Sequence, residues 1–246
     1  MHRVKGRLSC YDEGNVDTLE MEEKSMNEMK NKLNFISAED HAPVILYISN
    51  REMDFRAADL YERVKMITGV EFSFCELAVS DWDRMLTPWP VDDCMKDRCF
   101  AGEGRVLMEA IKKEIIPMIN TRLPDHQQLY LAGYSLAGLF SLWTLYQSTV
   151  FDGAVCCSGS LWYPGWEIYM QQSFLQRNSK IYLSLGKREP KTKHPLMKRI
   201  GEITEKQYQQ LEQDKNAERV VFEWQEGGHF SNVQERIAMG ICWILA

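Results

Sequence analysis

The stretch Leu129–Leu145, LYLAGYSLAGLFSLWTL, constrains the fold more than any other part of this chain. Leu129 to Tyr134 is an apolar run of strand length, and Leu136, Leu139, Phe140 and Trp143 then recur at helical spacing. Between them, Gly133-Tyr134-Ser135-Leu136-Ala137-Gly138 places a serine on a sharp strand-to-helix corner. Small residues two before and two after it are needed because helix and strand backbones crowd together there. Such a corner holds the serine in strained backbone geometry, its hydroxyl exposed and the following amide free to bind an oxyanion. The same letters also fit a serine that merely caps a helix. Partners elsewhere in the chain decide between the two.

The rest of the chain keeps a strand–helix rhythm from Pro43 onward. Val44–Ile48 (VILYI) reads as a buried strand, followed by a helix through Phe55, Leu60 and Val64 to Gly69. Glu71–Val79 is a second strand, Ser80 to Gly104 a long loop, and Val106–Ile119 a helix. After the Leu129–Leu145 unit come strands at Gly153–Cys157, Lys180–Leu185 and Arg219–Trp224, the last two each followed by a helix-like segment. This alternation predicts an α/β fold with a mainly parallel central sheet and helices on both faces. The ligand crevice of such a sheet lies beyond the carboxyl ends of its strands. The whole chain, 1–246, reads as one domain. Residues 1–40 read as an extension, with Arg3–Tyr11 a short strand and Val16–Leu33 an amphipathic helix carrying Leu19, Met26 and Leu33 seven apart.

A formal net charge of -6 and a pI near 5.5 argue against nucleic acid as a partner. No apolar run approaches membrane-span length, and MHRVKGRLSC lacks an apolar signal core, so a cytoplasmic protein with no membrane partner is expected. Seven cysteines form no framework, and reduced thiols are expected. Cys156-Cys157 fall in an apolar strand, and Cys94 and Cys99 have no second pair with which to bind zinc. Neither a metal nor a cofactor is expected, and nothing in the sequence indicates an oligomeric state.

A serine nucleophile needs a base, and the base an orienting acid. Two histidines follow Ser135. His194 precedes a proline in a lysine-rich loop, whereas His229, in Glu226-Gly227-Gly228-His229-Phe230, directly follows the Arg219–Trp224 strand. His229 is therefore the expected base. The acid should follow the preceding strand, where Lys187-Arg188-Glu189 stands after Gly186, so Glu189 is expected. Glu226 is the alternative, three residues from the histidine. The amide of Leu136 should supply one oxyanion donor, and the loop after Val44–Ile48 the other, from Asn50 or Arg51. Trp82 and Trp89 in one post-strand loop, with Trp162, Tyr163 and Trp166 in another, are expected to wall an apolar pocket.

These residues resemble the α/β-hydrolase esterases related to enterochelin esterase, esterase D and the secreted mycolyltransferases. The likeness rests on Gly133 to Phe140, Phe151-Asp152-Gly153-Ala154, Ser158-Gly159-Ser160-Leu161-Trp162, Gly186 to Glu189, and Gly227-Gly228-His229. It runs from about Pro43 to the C-terminus. Ala137 departs from the commoner glycine, and residues 1–40 look shorter and more helical than that family's antiparallel first strands. The resemblance implies a serine hydrolase that cleaves small-molecule carboxylic esters through an acyl-enzyme. Acyl transfer on the same scaffold, and a catalytically idle binding module, are the alternatives.

Overall fold

The computed structural model describes residues 33–50, 54–92, 95 and 98–246. The strands are β1 (Leu33–Ser37), β2 (Val44–Ser49), β3 (Ser73–Ala78), β4 (Leu129–Tyr134), β5 (Gly153–Cys157), β6 (Ser179–Gly186) and β7 (Ala217–Gln225). They form one sheet in the order β1-β3-β2-β4-β5-β6-β7, parallel throughout except for β1. Every residue of β2, β4 and β5 is buried. This is why these strands read as continuous apolar runs rather than alternating ones.

Helices cover both faces, as the alternation of elements requires. On one face α1 (Ala57–Thr68) buries Ala57, Leu60 and Val64, and α8 (Val233–Leu245) buries Ile237, Ala238, Ile241 and Ile244. Arg63 joins these two helices by forked hydrogen bonds to Glu235, at 3.0 and 2.9 Å. The other face carries α3 (Gly104–Ala110), a π turn (Ile111–Ile115), α4 (Ile116–Arg122), α5 (Leu136–Gln147), α6 (Trp166–Gln171) and α7 (Ile200–Glu212). Helix α5 is buried from Leu136 to Tyr146, because the sheet lies on one side and the Trp166 region on the other. A helix apolar all round belongs in such a place.

The N-terminal reading needs correction where the structure describes it. Leu33, expected to end a helix, opens β1, and Leu33 and Phe35 pair antiparallel with Leu77 and Cys75 of β3. The unpaired edge of β3 supplies the hydrogen bonds, and both side chains pack against the core below. The remainder of Val16–Leu33, and Arg3–Tyr11, lie outside the described residues. The loop after β3 contains the short helix α2 (Trp82–Met85) and a bridge between Val91 and Phe100. Cys99 in this loop is disulfide-bonded, and its partner lies outside the described residues, so the expectation of wholly reduced thiols does not hold. Cys75, Cys156, Cys157 and Cys242 are free. Burial pushes the Cys75 and Cys157 thiols up to about 12, which leaves both as packing groups.

Candidate active site

The elbow residue Ser135 has φ 58° and ψ -120°, a conformation that L side chains rarely adopt. Its neighbours over-determine that conformation. The Ser135 amide donates to the Cys157 carbonyl at 3.1 Å, and its own carbonyl accepts from Leu139 and Ser160, both at 3.0 Å. Gly133 is obligatory here, since a Cβ on it would lie 2.4 Å from the Ala137 carbonyl carbon and oxygen. The strain therefore follows from how tightly α5 turns back over β4 and β5.

The structure brings Ser135, His229 and Glu189 into one hydrogen-bonded chain. The His229 Nε2 stands 3.1 Å from Ser135 Oγ, and its Nδ1 stands 2.8 Å from Glu189 Oε2. Glu189 follows β6, in a 3₁₀ turn Glu189–Lys191, and His229 follows β7 on a loop shaped by Gly227 at φ 95°. The other carboxylate oxygen of Glu189 accepts from Ser158 Oγ at 2.7 Å, the Gly186 amide at 2.8 Å and Arg236 Nη1 at 3.1 Å. Burial pushes the Glu189 carboxyl up, but the hydrogen bonds from His229, Ser158 and Gly186 and the charge of His229 together hold it below the usual carboxylate range. Its side chain is only 6% exposed. An ionised acid, an oriented imidazole and a strained hydroxyl can together move a proton off Ser135 and return it.

The alternative acid and base lie elsewhere. Glu226 is turned outward, 80% exposed, and paired with Lys187. His194 sits in the loop before α7, where its Nδ1 accepts from the Met197 amide at 3.5 Å.

A cavity of about 690 Å³ opens over Ser135 and His229 at the carboxyl ends of the strands. Asn50, Trp82 and Trp162 line it, as the sequence suggested; Arg51 lies outside the described residues. Trp89, Tyr163 and Trp166 do not line it. They pack instead into an aromatic layer beside it, Trp89 lying 5.9 Å from Tyr163 and 6.5 Å from Trp166. Trp89 Nε1 donates to the Pro164 carbonyl at 2.8 Å and Tyr163 Oη to the Trp89 carbonyl at 2.7 Å, so these indole and phenol groups satisfy the two loops themselves. Loop aromatics of both kinds look alike in sequence, and only the folded path of the two loops separates wall from foundation.

The sequence reading missed Phe230, which lies 90% exposed on the cavity rim with its ring edge-to-face against His229 at 5.0 Å. A bare phenylalanine after the histidine was the one available signal. Arg188 and Lys191, from the cation-rich 187–199 segment that could attract a carboxylate substrate or simply be a solvated loop, stand at the mouth, exposed and without an ion pair among the described residues. Ser160, in the Ser158–Trp162 loop that the resemblance implies at the site, has its Oγ 3.3 Å from Ser135 Oγ. Among the described residues, the grouping with metal-ligand character is Asp40, His41 and Asp125, all exposed and just before β2 and β4. It sits at the opposite end of the strands from the cavity.

This sheet, with a serine on the elbow after β4, a carboxylate after β6 and an imidazole after β7, is that of an α/β-hydrolase. Residues 80–237, well over half the chain, match the family described as "Putative esterase". The chain belongs to that family of esterases. Solved structures with the same fold include the siderophore hydrolase EstA from Aspergillus nidulans, at 16% identity over 84% of this chain and 83% of that one, TM-score 0.68. An IroE-like serine hydrolase from Shewanella oneidensis matches at 14% identity over 86% and 73%, TM-score 0.67. The enterobactin and salmochelin hydrolase IroE matches at 17% over 85% of each chain, TM-score 0.60. At these identities the likeness is one of fold. No curated protein matches the sequence as a relative. Among the described residues no helix is long and apolar enough to cross a membrane.

Proposed function

We propose that the protein hydrolyses carboxylic esters through an acyl-enzyme on Ser135. In this reading His229 Nε2 takes the Ser135 proton as the hydroxyl attacks the ester carbonyl, then gives it to the departing alcohol. Water repeats the sequence to free the acid. Glu189 holds the proton on Nδ1 and stabilises the imidazolium as it forms. The backbone amide of Leu136, at the amino end of α5, and a donor from the loop at Asn50 and Arg51 would bind the oxyanion. The observation that carries this reading is the Ser135–His229–Glu189 chain at 3.1 and 2.8 Å, built on a serine with positive φ.

The cavity favours a bulky substrate over a short acyl ester. Its mouth combines the cations Arg188 and Lys191 with the aromatic rings of Phe55, Trp82 and Phe230. An ester carrying aromatic or acidic groups suits those walls, and the siderophores named for EstA and the enterobactin and salmochelin named for IroE are therefore the first substrates to try.

The test is labelling by a fluorophosphonate probe, with turnover of p-nitrophenyl esters measured in parallel. Wild type should label at Ser135 and turn over ester, and Ser135→Ala should do neither. Absence of labelling at neutral pH would sink the reading and leave a ligand-binding scaffold. Faster ester consumption with added alcohol, yielding a new ester, would place acyl transfer ahead of hydrolysis.

A further inference from the structure

Helix α8 reads VQERIAMGICWIL and packs on the sheet, yet Arg236 in its first turn is 2% exposed. A guanidinium buried that deeply is costly, this one leaves its Nε without a hydrogen-bond partner, and an apolar residue would usually stabilise a helix–sheet interface at least as well. Its contacts reveal what it does instead. Nη1 lies 3.1 Å from Tyr134 Oη, 2.9 Å from Ser158 Oγ and 3.1 Å from Glu189 Oε1. Nη2 donates to the carbonyls of Glu226 at 2.9 Å and Gly228 at 3.0 Å. Tyr134 Oη in turn donates to the His229 carbonyl at 2.6 Å. One rigid fork thus touches the residue before Ser135, the carboxylate of Glu189, and two carbonyls of the segment leading into His229, and through Tyr134 Oη it is linked to the His229 carbonyl.

The surroundings are shaped to admit it. A Cβ at Gly186 would come 2.7 Å from Arg236 Nη2 and 2.9 Å from Glu189 Oε1. The cavity lining includes Glu189 and His229 but not Arg236, so the guanidinium stands behind the reacting groups.

We propose that Arg236 is a positioning residue, fixing Glu189 and the His229 loop relative to each other and so holding the imidazole on Ser135. This rests on the Ser135–His229–Glu189 reading above. The role needs a planar fork that reaches a carboxylate and two carbonyls together, and a lysine, with a single ammonium, cannot span them.

The deciding experiment is a double-mutant cycle with Arg236→Lys and Glu189→Gln. Turnover is measured per active site, counted by fluorophosphonate titration, and folding is checked by thermal melting. In the wild-type background Arg236→Lys should lower kcat by roughly 30- to 100-fold and leave KM within about threefold. On top of Glu189→Gln the same change should cost less than about threefold, because the group it acts through is already disabled. A kcat within about threefold of wild type, a loss carried in KM, or an undiminished loss in the Glu189→Gln background would each overturn the proposal.

If Arg236→Lys does not fold, Tyr134→Phe decides. It keeps the charge pair but cuts the fork from the His229 carbonyl, and should lower kcat about five- to tenfold at constant KM. A change under about twofold refutes the proposal. Wild-type labelling separates the two readings. An unlabelled Ser135 brings down both, whereas a labelled, active wild type with an indifferent Arg236→Lys brings down only this one.

Discussion

Replacing Glu189 by glutamine tests whether this carboxylate sets the tautomer of His229. Glutamine keeps the size and removes only the charge and one acceptor. Glu189 Oε1 faces three donors, from Ser158 at 2.7 Å, Gly186 at 2.8 Å and Arg236 at 3.1 Å, so the amide oxygen must take that place. The NH₂ group is then directed at His229 Nδ1, where Oε2 now lies 2.8 Å away. An N–H opposite Nδ1 forces that nitrogen to accept, which moves the ring proton to Nε2 and aims it at Ser135 Oγ. The imidazole can no longer take the hydroxyl proton. A loss of about 10³- to 10⁴-fold in kcat follows, on the order of 4–5.5 kcal/mol in the barrier. The variant is also less stable, because Arg236 loses the carboxylate but keeps two carbonyls and two hydroxyls. Breaking a buried pair costs up to about 3–5 kcal/mol, and each kcal/mol lowers Tm by roughly 2–4 °C in a chain of this size. The assay is ester turnover per titrated active site, run well below the variant's own melting temperature. A kcat within about tenfold of wild type would refute the tautomer argument and remove Glu189 from the mechanism.

Gly133→Ala puts a Cβ 2.4 Å from the Ala137 backbone, so the elbow must open; stability should fall by about 1–3 kcal/mol and Ser135 labelling should slow with it. An unchanged melting temperature would contradict the crowding argument. Phe230→Ala removes a ring that is 90% exposed, so stability should stay within about 0.5 kcal/mol, while kcat/KM for aryl-bearing esters falls about tenfold more than for acetate esters. Equal losses on both would mean that the ring is not a substrate platform. Because native Glu189 is held below its ordinary value of 4.5, the unfolded chain binds that proton more readily. Its contribution to stability is complete above that value and drains away as the pH falls through the native one. Urea midpoints of wild type and Glu189→Gln should therefore converge as the pH falls below 4.5 and through the lower native value, and a constant gap would show that the carboxylate is not ionised in the native protein.

The parallel order of the sheet and the site at its carboxyl end were readable because β2, β4 and β5 are buried on both faces. Such strands must be apolar along their whole length, and helices long enough to cross back must lie between them. The Ser135 corner was readable for a local reason, since the glycine at 133 is enforced by a contact only four residues away. The first strand was not. Leu19, Met26 and Leu33 share a spacing of seven, which resembles a helix, and only the open edge of β3 draws Leu33–Ser37 into an antiparallel ladder. Edge pairing is a contact between distant segments, and local spacing carries no record of it.

The sequence by itself determined the α/β plan, the serine elbow, and the placing of one histidine and one carboxylate after successive strands. Chain order and residue type suffice for those, because each depends on neighbours within a single strand–loop–helix unit. The tertiary structure alone decided which aromatics wall the cavity, that Phe230 stands bare beside His229, and that an arginine in an apolar helix reaches Glu189, Tyr134 and the His229 turn at once. Those facts arise where loops from different strands meet over one sheet edge. Their energies come from contacts between distant groups, Tyr134 and Arg236 being 102 residues apart, and no local pattern encodes them.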